Sequence, residues 1–406
     1  MHDMSPVYPL LMSLSRVDSQ IDVKNPPSLL ARPRAALGAG ILVDLPSYIT
    51  IEVLAKLGAE HLMNFSLVCK SWRGLISQVY QINGARKQLY CPSSFSCSGR
   101  NKVRLLYSVK PPRSIEYAAL NKVGHSVHGN ELNFPELQKV KIVGSCDGII
   151  CLEEGINVCL WNPTTTEIRT LMKPKGFQSM LMFYGFGLDP TLDDYKVILG
   201  NSVEEGGMKT LKVAVFKLRE GIWSSKHGLD YMQVSGQGHY LDGALHWTEM
   251  RRVWPHPPVP GTRIVSICLT DEVFKESLQV ADLTGGQIYI SERIARAENG
   301  LVLYMYGLNS IKIWLSKTYK VKTSWMNVIH LDLKFGGPGA LRTTNIEPIF
   351  YSEDGKLFVS LDGKELVVYD REKKGFRTAF VCSRLAHEPV VYIDSLISPF
   401  KGLGIC

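Results

Sequence analysis

The chain has 406 residues, 45% of them hydrophobic and 21% charged, with a formal net charge of +8. That length exceeds one small core and calls for two or more domains, while no apolar run reaches the ~18 residues of a membrane-spanning helix. The nine cysteines are odd in number and include no Cys-x-x-Cys pair, which argues against a zinc site and fits reduced thiols in the cytoplasm or nucleus.

Residues 1–40 carry scattered prolines, among them Pro6, Pro9 and Pro33, and open without a basic leader. They are expected to form a flexible arm and not a signal peptide. Residues 41–88 contain the one convincingly helical stretch. A first helix is expected near Pro46, since proline suits the first helical position, with Asp44 ahead of it as a cap. Ile49, Val53 and Leu57 then recur every four residues beside Leu54, and Gly58 supplies a stop. Leu62, Met63 and Phe65 form a short middle segment. Val68, Trp72, Leu75, Ile76 and Val79 follow at helical spacing. Three short helices in so few residues are marginal alone. Leu45, Leu54, Leu67 and Cys69 lie off the main stripes, so either the rest of the chain or another protein must cover them.

From residue 89 to 406 short apolar runs alternate with turn residues. Asp-Gly or Asn-Gly opens strands at 147–148, 242–243, 299–300, 354–355 and 362–363, and a related glycine stands at 286. Such pairs adopt the positive φ of tight hairpins cheaply. Gly148 and Gly243 are 95 residues apart and Gly243 and Gly286 are 43 apart. A unit of about 40–50 residues fits the four-stranded blades of a β-propeller. The expected fold is therefore a small all-α N-terminal domain followed by a mainly-β propeller of about six blades. A pair of β-sandwiches is the competing architecture. The later glycine copies fall out of step with the period.

Leu45-Pro46, the run Ile51–Leu54, Leu57, the run Val68–Trp72 and Leu75-Ile76 resemble the F-box. Further on, the motifs GSCDGIIC (144–151), WNPTTTE (161–167), GFGLDP (185–190), DDYKV (193–197), DGALHW (242–247) and YIDSLISP (392–399) resemble the F-box-associated domain of land-plant F-box proteins. The first resemblance implies docking on a Skp-type adaptor, and through it a cullin scaffold and a RING subunit. It makes Leu45, Pro46, Ile49, Leu54, Leu57, Val68, Cys69 and Trp72 the adaptor contacts or their supports. The second implies that the β domain captures a target protein for ubiquitination. An adaptor-bound scaffold without a degradation role and a propeller that binds carbohydrate or another small ligand are the alternatives.

No catalytic residues, cofactor or metal are expected. The chain lacks a Gly-x-Ser-x-Gly elbow. Asp189, Asp193 and Asp194 miss the calcium-loop spacing and read as turn caps, and His246 reads as a packed strand histidine. Lys312, Lys317, Lys320 and Lys322 read as a solvated strand face in preference to a nucleic-acid surface. For target binding the distinctive segment is 249–261. It holds four prolines, which restrict its backbone, together with Arg251, Arg252 and Trp254, residue types that anchor interfaces.

Overall fold

The computed structural model describes residues 46–82, 102–109, 111–120, 129–134, 140–178, 181–205, 207–229, 234–248, 263–279, 291–297, 300–307, 310–316, 324–332, 346–352, 354–381 and 389–400. The chain divides into two compact units, residues 1–89 with 405–406, and residues 90–404.

The first unit holds three helices, α1 (Ser47–Leu54), α2 (Ala59–Ser66) and α3 (Lys70–Ile82). Pro46 stands one position earlier than expected, at the N-cap of α1, where its carbonyl accepts the N–H groups of Ile49 and Thr50 at 2.9 and 3.2 Å. Asp44 lies outside the described residues. Gly58 does not end α1 with a left-handed turn. It is the N-cap of α2, at φ −76° and ψ 161°, and its carbonyl accepts the N–H groups of His61 and Leu62. The middle segment is thus a full two-turn helix. α1 and α2 both pack on α3. Leu54, Leu57, Ala59, Leu62, Phe65, Ile76 and Val79 are buried, and the Phe65 ring lies 5.2 Å from that of Trp72.

In the second unit the described strands form two four-stranded and two eight-stranded sheets, and each eight-stranded sheet is two antiparallel sets of four joined by one parallel strand pair, which gives six groups of four. The first group joins β1 (Val103–Val109), β2 (Pro112–Glu116) and β3 (Asn130–Glu131) to β24 (Val390–Ile393), the last described strand of the chain. The second group is β4 (Val140–Cys146), β5 (Ile149–Glu154), β6 (Asn157–Trp161) and β7 (Ile168–Met172). The third is β8 (Phe183–Asp189), β9 (Asp194–Glu205), β10 (Met208–Lys217) and β11 (Ile222–Leu229). The fourth is β12 (Gly236–Leu241), β13 (Ala244–Thr248), β14 (Arg263–Cys268) and β15 (Phe274–Gln279). The fifth is β16 (Ser291–Ala297), β17 (Gly300–Tyr306), β18 (Ser310–Ser316) and β19 (Trp325–Asp332). The sixth is β20 (Ile346–Tyr351), β21 (Lys356–Leu361), β22 (Glu365–Asp370) and β23 (Gly375–Val381). One four-residue helix, α4 (Tyr117–Leu120), interrupts the strands, where none was expected.

Each group packs on the next through an apolar cluster. Trp161 meets Leu106 and Tyr392 between the first and second groups. Leu160 meets Phe186 and Val197 between the second and third. Phe183 meets Trp247 and Ile267 between the third and fourth. Ile264 meets Ile294 and Leu303 between the fourth and fifth. Val302 meets Val359 between the fifth and sixth, and Phe350 and Phe358 meet Leu105 and Ile115 between the sixth and the first. The groups therefore form a closed, propeller-like ring, which rules out two separate sandwiches. Because successive strand side chains point to opposite faces, Val197 and Leu199 serve the cluster on one side and Ile198 the cluster on the other. Strands buried on both faces lose alternation and read as continuous apolar runs.

The Asp-Gly pairs do what their chemistry allows. Asp147 and Gly148 have φ of 53° and 81°, and Asp242 and Gly243 have 47° and 75°. Positive φ at both central residues is the hairpin turn whose twist suits the flanking strands. Gly148, Gly243, Gly300 and Gly355 all follow the first strand of a group. The copies at 300 and 355 are thus in structural step, and the extra length lies in the connections. Asp362-Gly363 joins β21 to β22 and is the copy out of place. Gly286 lies outside the described residues.

Candidate interaction sites

The helical unit keeps apolar surface uncovered by its own side chains. Tyr48 on α1 and Leu67 just after α2 are each 67% exposed. Pro46 is exposed, and Ile49, Val53, Val68, Cys69 and Trp72 are half-buried. Leu54 and Leu57 are buried, so they support the unit from inside. Leu45 lies outside the described residues. Leu67, which the sequence places off the main stripes, is exposed, whereas Tyr48 was missed because it lies beside the four-residue stripe. Two eight-residue helices are too short for a stripe to reveal which side faces out.

In the β unit, charged side chains tie neighbouring groups together. Lys196 on β9 is 1% exposed and forms ion pairs with Asp189 at 3.1 Å and Glu272 at 3.0 Å. Asp189 also accepts the Thr270 hydroxyl and the N–H groups of Thr191 and Leu192. Burial alone would raise the Asp189 pKa, but these hydrogen bonds and Lys196 hold it below the usual carboxylate value. Burial likewise works against the Lys196 charge, yet Glu272 and Asp189 hold its pKa above the usual lysine value. Burial raises the pKa of Asp194, whose carboxylate accepts the N–H of Arg219. Asp189 and Asp194 thus cap turns as expected, with Asp189 also linking the third group to the fourth.

A second polar network fastens the segment after β24. Buried Asn162 donates to the carbonyls of Ser395 and Ile397 at 3.0 and 2.9 Å, and its own oxygen accepts the Thr164 N–H at 2.8 Å. Arg104 pairs with Asp394 at 2.9 Å. Within the turn, the Thr165 hydroxyl accepts the Glu167 N–H at 3.4 Å, while the Thr164 hydroxyl reaches across to the segment after β24 and accepts the N–H of Ser395. A Cβ on Gly148 would stand 2.2 Å from the Ser395 hydroxyl, so the turn needs glycine for space as well as for φ.

At the centre of the ring the six strands β24, β4, β8, β12, β16 and β20 surround one cavity of about 60 Å³. Its polar lining includes Ser145, Gln237, His239, Tyr240 and Arg296. His246 is fully buried on β13, and its Nδ1 lies 3.2 Å from the His239 carbonyl. Among the described residues no group of three or more His, Cys, Asp or Glu is arranged to hold a metal. Arg251, Arg252 and Trp254, with the rest of 249–261, lie outside the described residues, as do Lys317, Lys320 and Lys322. The flanking strands β13 and β14 pair up to Thr248 and Ile264.

The family model for the F-box associated beta propeller domain matches residues 107–398, and the model for the F-box domain matches residues 42–81. The chain belongs to the F-box-associated β-propeller family. The F-box match coincides with the three helices, and the propeller match runs from within β1 to just past β24. Among curated Arabidopsis thaliana proteins, F-box protein At3g07870 is 26% identical over 70% of this chain and 72% of its own length. F-box/kelch-repeat protein At3g23880 is 23% identical over 88% of this chain and 96% of its own. F-box protein CPR1 is 25% identical over 71% of this chain and 74% of its own. The solved Dos1 propeller is 12% identical over 70% of this chain and 68% of that chain, with a TM-score of 0.35, too low to carry an argument.

The family motifs gain physical meaning from the ring. Asn162 in the WNPTTTE motif and Ser395 in the YIDSLISP motif are 233 residues apart and hold one another. The F-box implies an adaptor of the Skp type, and the family is in general a non-catalytic recognition family.

Proposed function

We propose that this chain is the target-recognition subunit of an SCF-type ubiquitin ligase, working in the cytoplasm or nucleus. The F-box helices bind the Skp-type adaptor, which joins them to cullin and RING subunits. The β-propeller, read here as six-bladed from its six groups of strands, captures the target. Ubiquitin chemistry belongs to the RING subunit and its charged partner. This chain contributes proximity, which raises the effective concentration of target lysines at the thioester. The observation that carries the reading is the exposed apolar surface of Tyr48 on α1 and Leu67 just after α2, within the segment that matches the F-box. Arg251, Arg252 and Trp254 are assigned to the target face, where two arginines can hold an acidic or phosphorylated peptide in bidentate fashion. The alternative of a small-ligand propeller has less support, since ligand pockets are usually ~300 Å³ or more and the central cavity is about 60 Å³.

The test is proximity labelling with the proteasome inhibited, combined with adaptor co-purification. Replacing Leu45 and Pro46 together by alanine should abolish adaptor co-purification while the β unit keeps its melting transition. Replacing Arg251, Arg252 and Trp254 by alanine should leave adaptor binding intact and lose labelled targets. Undiminished adaptor binding in the first variant sinks the F-box assignment. An unchanged labelled set in a folded second variant moves the target site elsewhere on the ring.

A further inference from the structure

The central cavity is lined by a guanidinium with no carboxylate among the described residues that line it. Arg296 on β16 supplies it, and among the described residues its Nε, sealed from solvent, has no hydrogen-bond partner. A guanidinium does not shed its proton inside a protein, so it cannot escape the cost of burial by becoming neutral. The other polar groups there do not supply a negative charge. Ser145 donates its hydroxyl to the Val391 carbonyl at 2.6 Å. His239 is neutral at pH 7, because burial, with His246 and Arg296 nearby, pushes its pKa down to about 4. A neutral imidazole can still donate or accept a hydrogen bond. Tyr240 stays protonated, since burial raises its pKa, and a phenol donates well to an oxyanion.

We propose that the cavity is an oxyanion site, in which Arg296 receives one phosphate or carboxylate group with Tyr240 and His239 beside it. At about 60 Å³ it exceeds several-fold the ~10–15 Å³ that one water needs. That suits one compact anionic group and not a sugar ring. The group comes either as a free ion or at the tip of a side chain on a bound peptide. The proposal does not depend on adaptor binding.

The experiment is calorimetric titration of the full chain with inorganic phosphate and with acetate, at ionic strength held constant with sodium chloride. Wild type should bind at least one of the two saturably, and Arg296→Gln should weaken that binding by ~10-fold or more, as loss of a charge-assisted hydrogen bond does. Arg113→Gln, which removes an exposed arginine of β2, should bind like wild type. A capped phosphoserine peptide and a capped aspartate peptide then separate the sources. Competition with the bound anion means that a peptide side chain can supply the group, and no competition means a free ion. Equal responses from wild type and Arg296→Gln, or none from wild type, overturn the proposal. Should Arg296→Gln fail to fold, crystals of the unaltered protein soaked in arsenate decide. An anomalous arsenic peak within hydrogen-bond reach of Arg296 supports the site, and water alone in the cavity overturns it.

Discussion

In the helical unit Tyr48 and Leu67 leave 67% of their surface exposed, whereas in the β unit Trp161, Trp247, Phe183 and Phe358 are at most 2% exposed. The β unit has exposed apolar residues too, but they are spread around the ring. Met172, Ile222, Met326 and Val381 lie on β7, β11, β19 and β23, the outermost strands of four different groups. Single exposed apolar residues are ordinary on protein surfaces. Tyr48 and Leu67 are among the most exposed of all, and they lie in a unit of only three short helices. The ring satisfies its apolar surface through six clusters that each join two groups. The helical unit has a short core and surface left over for a partner. The two regions therefore depend on different things, the ring on its own seams and the helices on what binds them.

The seams are the place to break that comparison hardest. Lys196→Met keeps the bulk of the side chain but leaves buried Asp189 without its cation, while Glu272 keeps Lys226 at 3.6 Å and Lys217 at 3.9 Å. Removing one partner of a buried ion pair costs about 3–5 kcal/mol, so chemical denaturation should show the β unit destabilised by that much. Adaptor co-purification should persist under native conditions. A loss of adaptor binding with the ring still folded would contradict the independence of the two regions. The same cluster sets an acid limit. The folded Asp189 pKa is depressed, so its contribution is complete above the ordinary aspartate value near ~4. It disappears as pH falls through the lower folded value. Asp194, whose pKa is raised, works in the opposite sense and is the same in both proteins. Stability measured from pH 6 down to pH 2 should therefore fall less steeply in Asp189→Asn than in wild type.

A smaller effect is expected at the ring's closure. Asn162→Ala leaves the Ser395 and Ile397 carbonyls without their side-chain donor and the Thr164 N–H without its acceptor. Each buried group left unmade costs about 1–3 kcal/mol, and partial relaxation brings the expected total to about 2–4 kcal/mol. Limited proteolysis should then cut within 390–400 sooner than in wild type, with the second-to-fifth groups protected for longer. Simultaneous loss of all groups would mean that the ring opens as one unit and not at this seam.

Much of this architecture was readable from local chemistry. Asp147-Gly148 and Asp242-Gly243 announced hairpins because only a few residue types reach positive φ cheaply. The third group hid from that search because its first hairpin, from Asp189 to Asp194, uses an aspartate cap and no glycine. Gly300 and Gly355 looked out of register because connections between groups vary in length while strands do not. The pairing of β24 with β1 joins residues almost 290 apart in sequence, and no local pattern specifies such a partner. The WNPTTTE and YIDSLISP motifs were each visible, but their mutual contact was not. Arg296 carried no motif at all, since its distinction is a buried Nε with no hydrogen-bond partner among the described residues, which only a folded structure reveals. In the helices, Leu54, placed off the stripe, is fully buried while Ile49 and Val53 on it are only half-buried, because two turns of helix fix an apolar direction poorly.

The smallest expected change in stability lies where the binding effect sharpens the comparison most. Tyr48 and Leu67 contribute little to the helical core, so Tyr48→Ser with Leu67→Ser should alter its unfolding free energy by no more than about 0.5 kcal/mol per site, the usual range for surface substitutions. If these side chains meet the adaptor, each loses the burial of a large apolar group on binding, worth about 1.5–3 kcal/mol when complete. A tenfold change in affinity corresponds to about 1.4 kcal/mol, so the double variant should bind the purified adaptor at least ~10-fold more weakly in surface plasmon resonance. Leu54→Ala is the counterpart. Leu54 is fully buried, so its truncation should cost about 2–5 kcal/mol and weaken adaptor binding by unfolding the helices. Circular dichroism of the isolated interaction partners and of their mixture separates the two routes. Full helicity with lost affinity marks a contact residue, and lost helicity marks a core one. Unchanged affinity in the Tyr48 and Leu67 double variant would place the adaptor on the half-buried side chains of Ile49, Val53 and Trp72 instead.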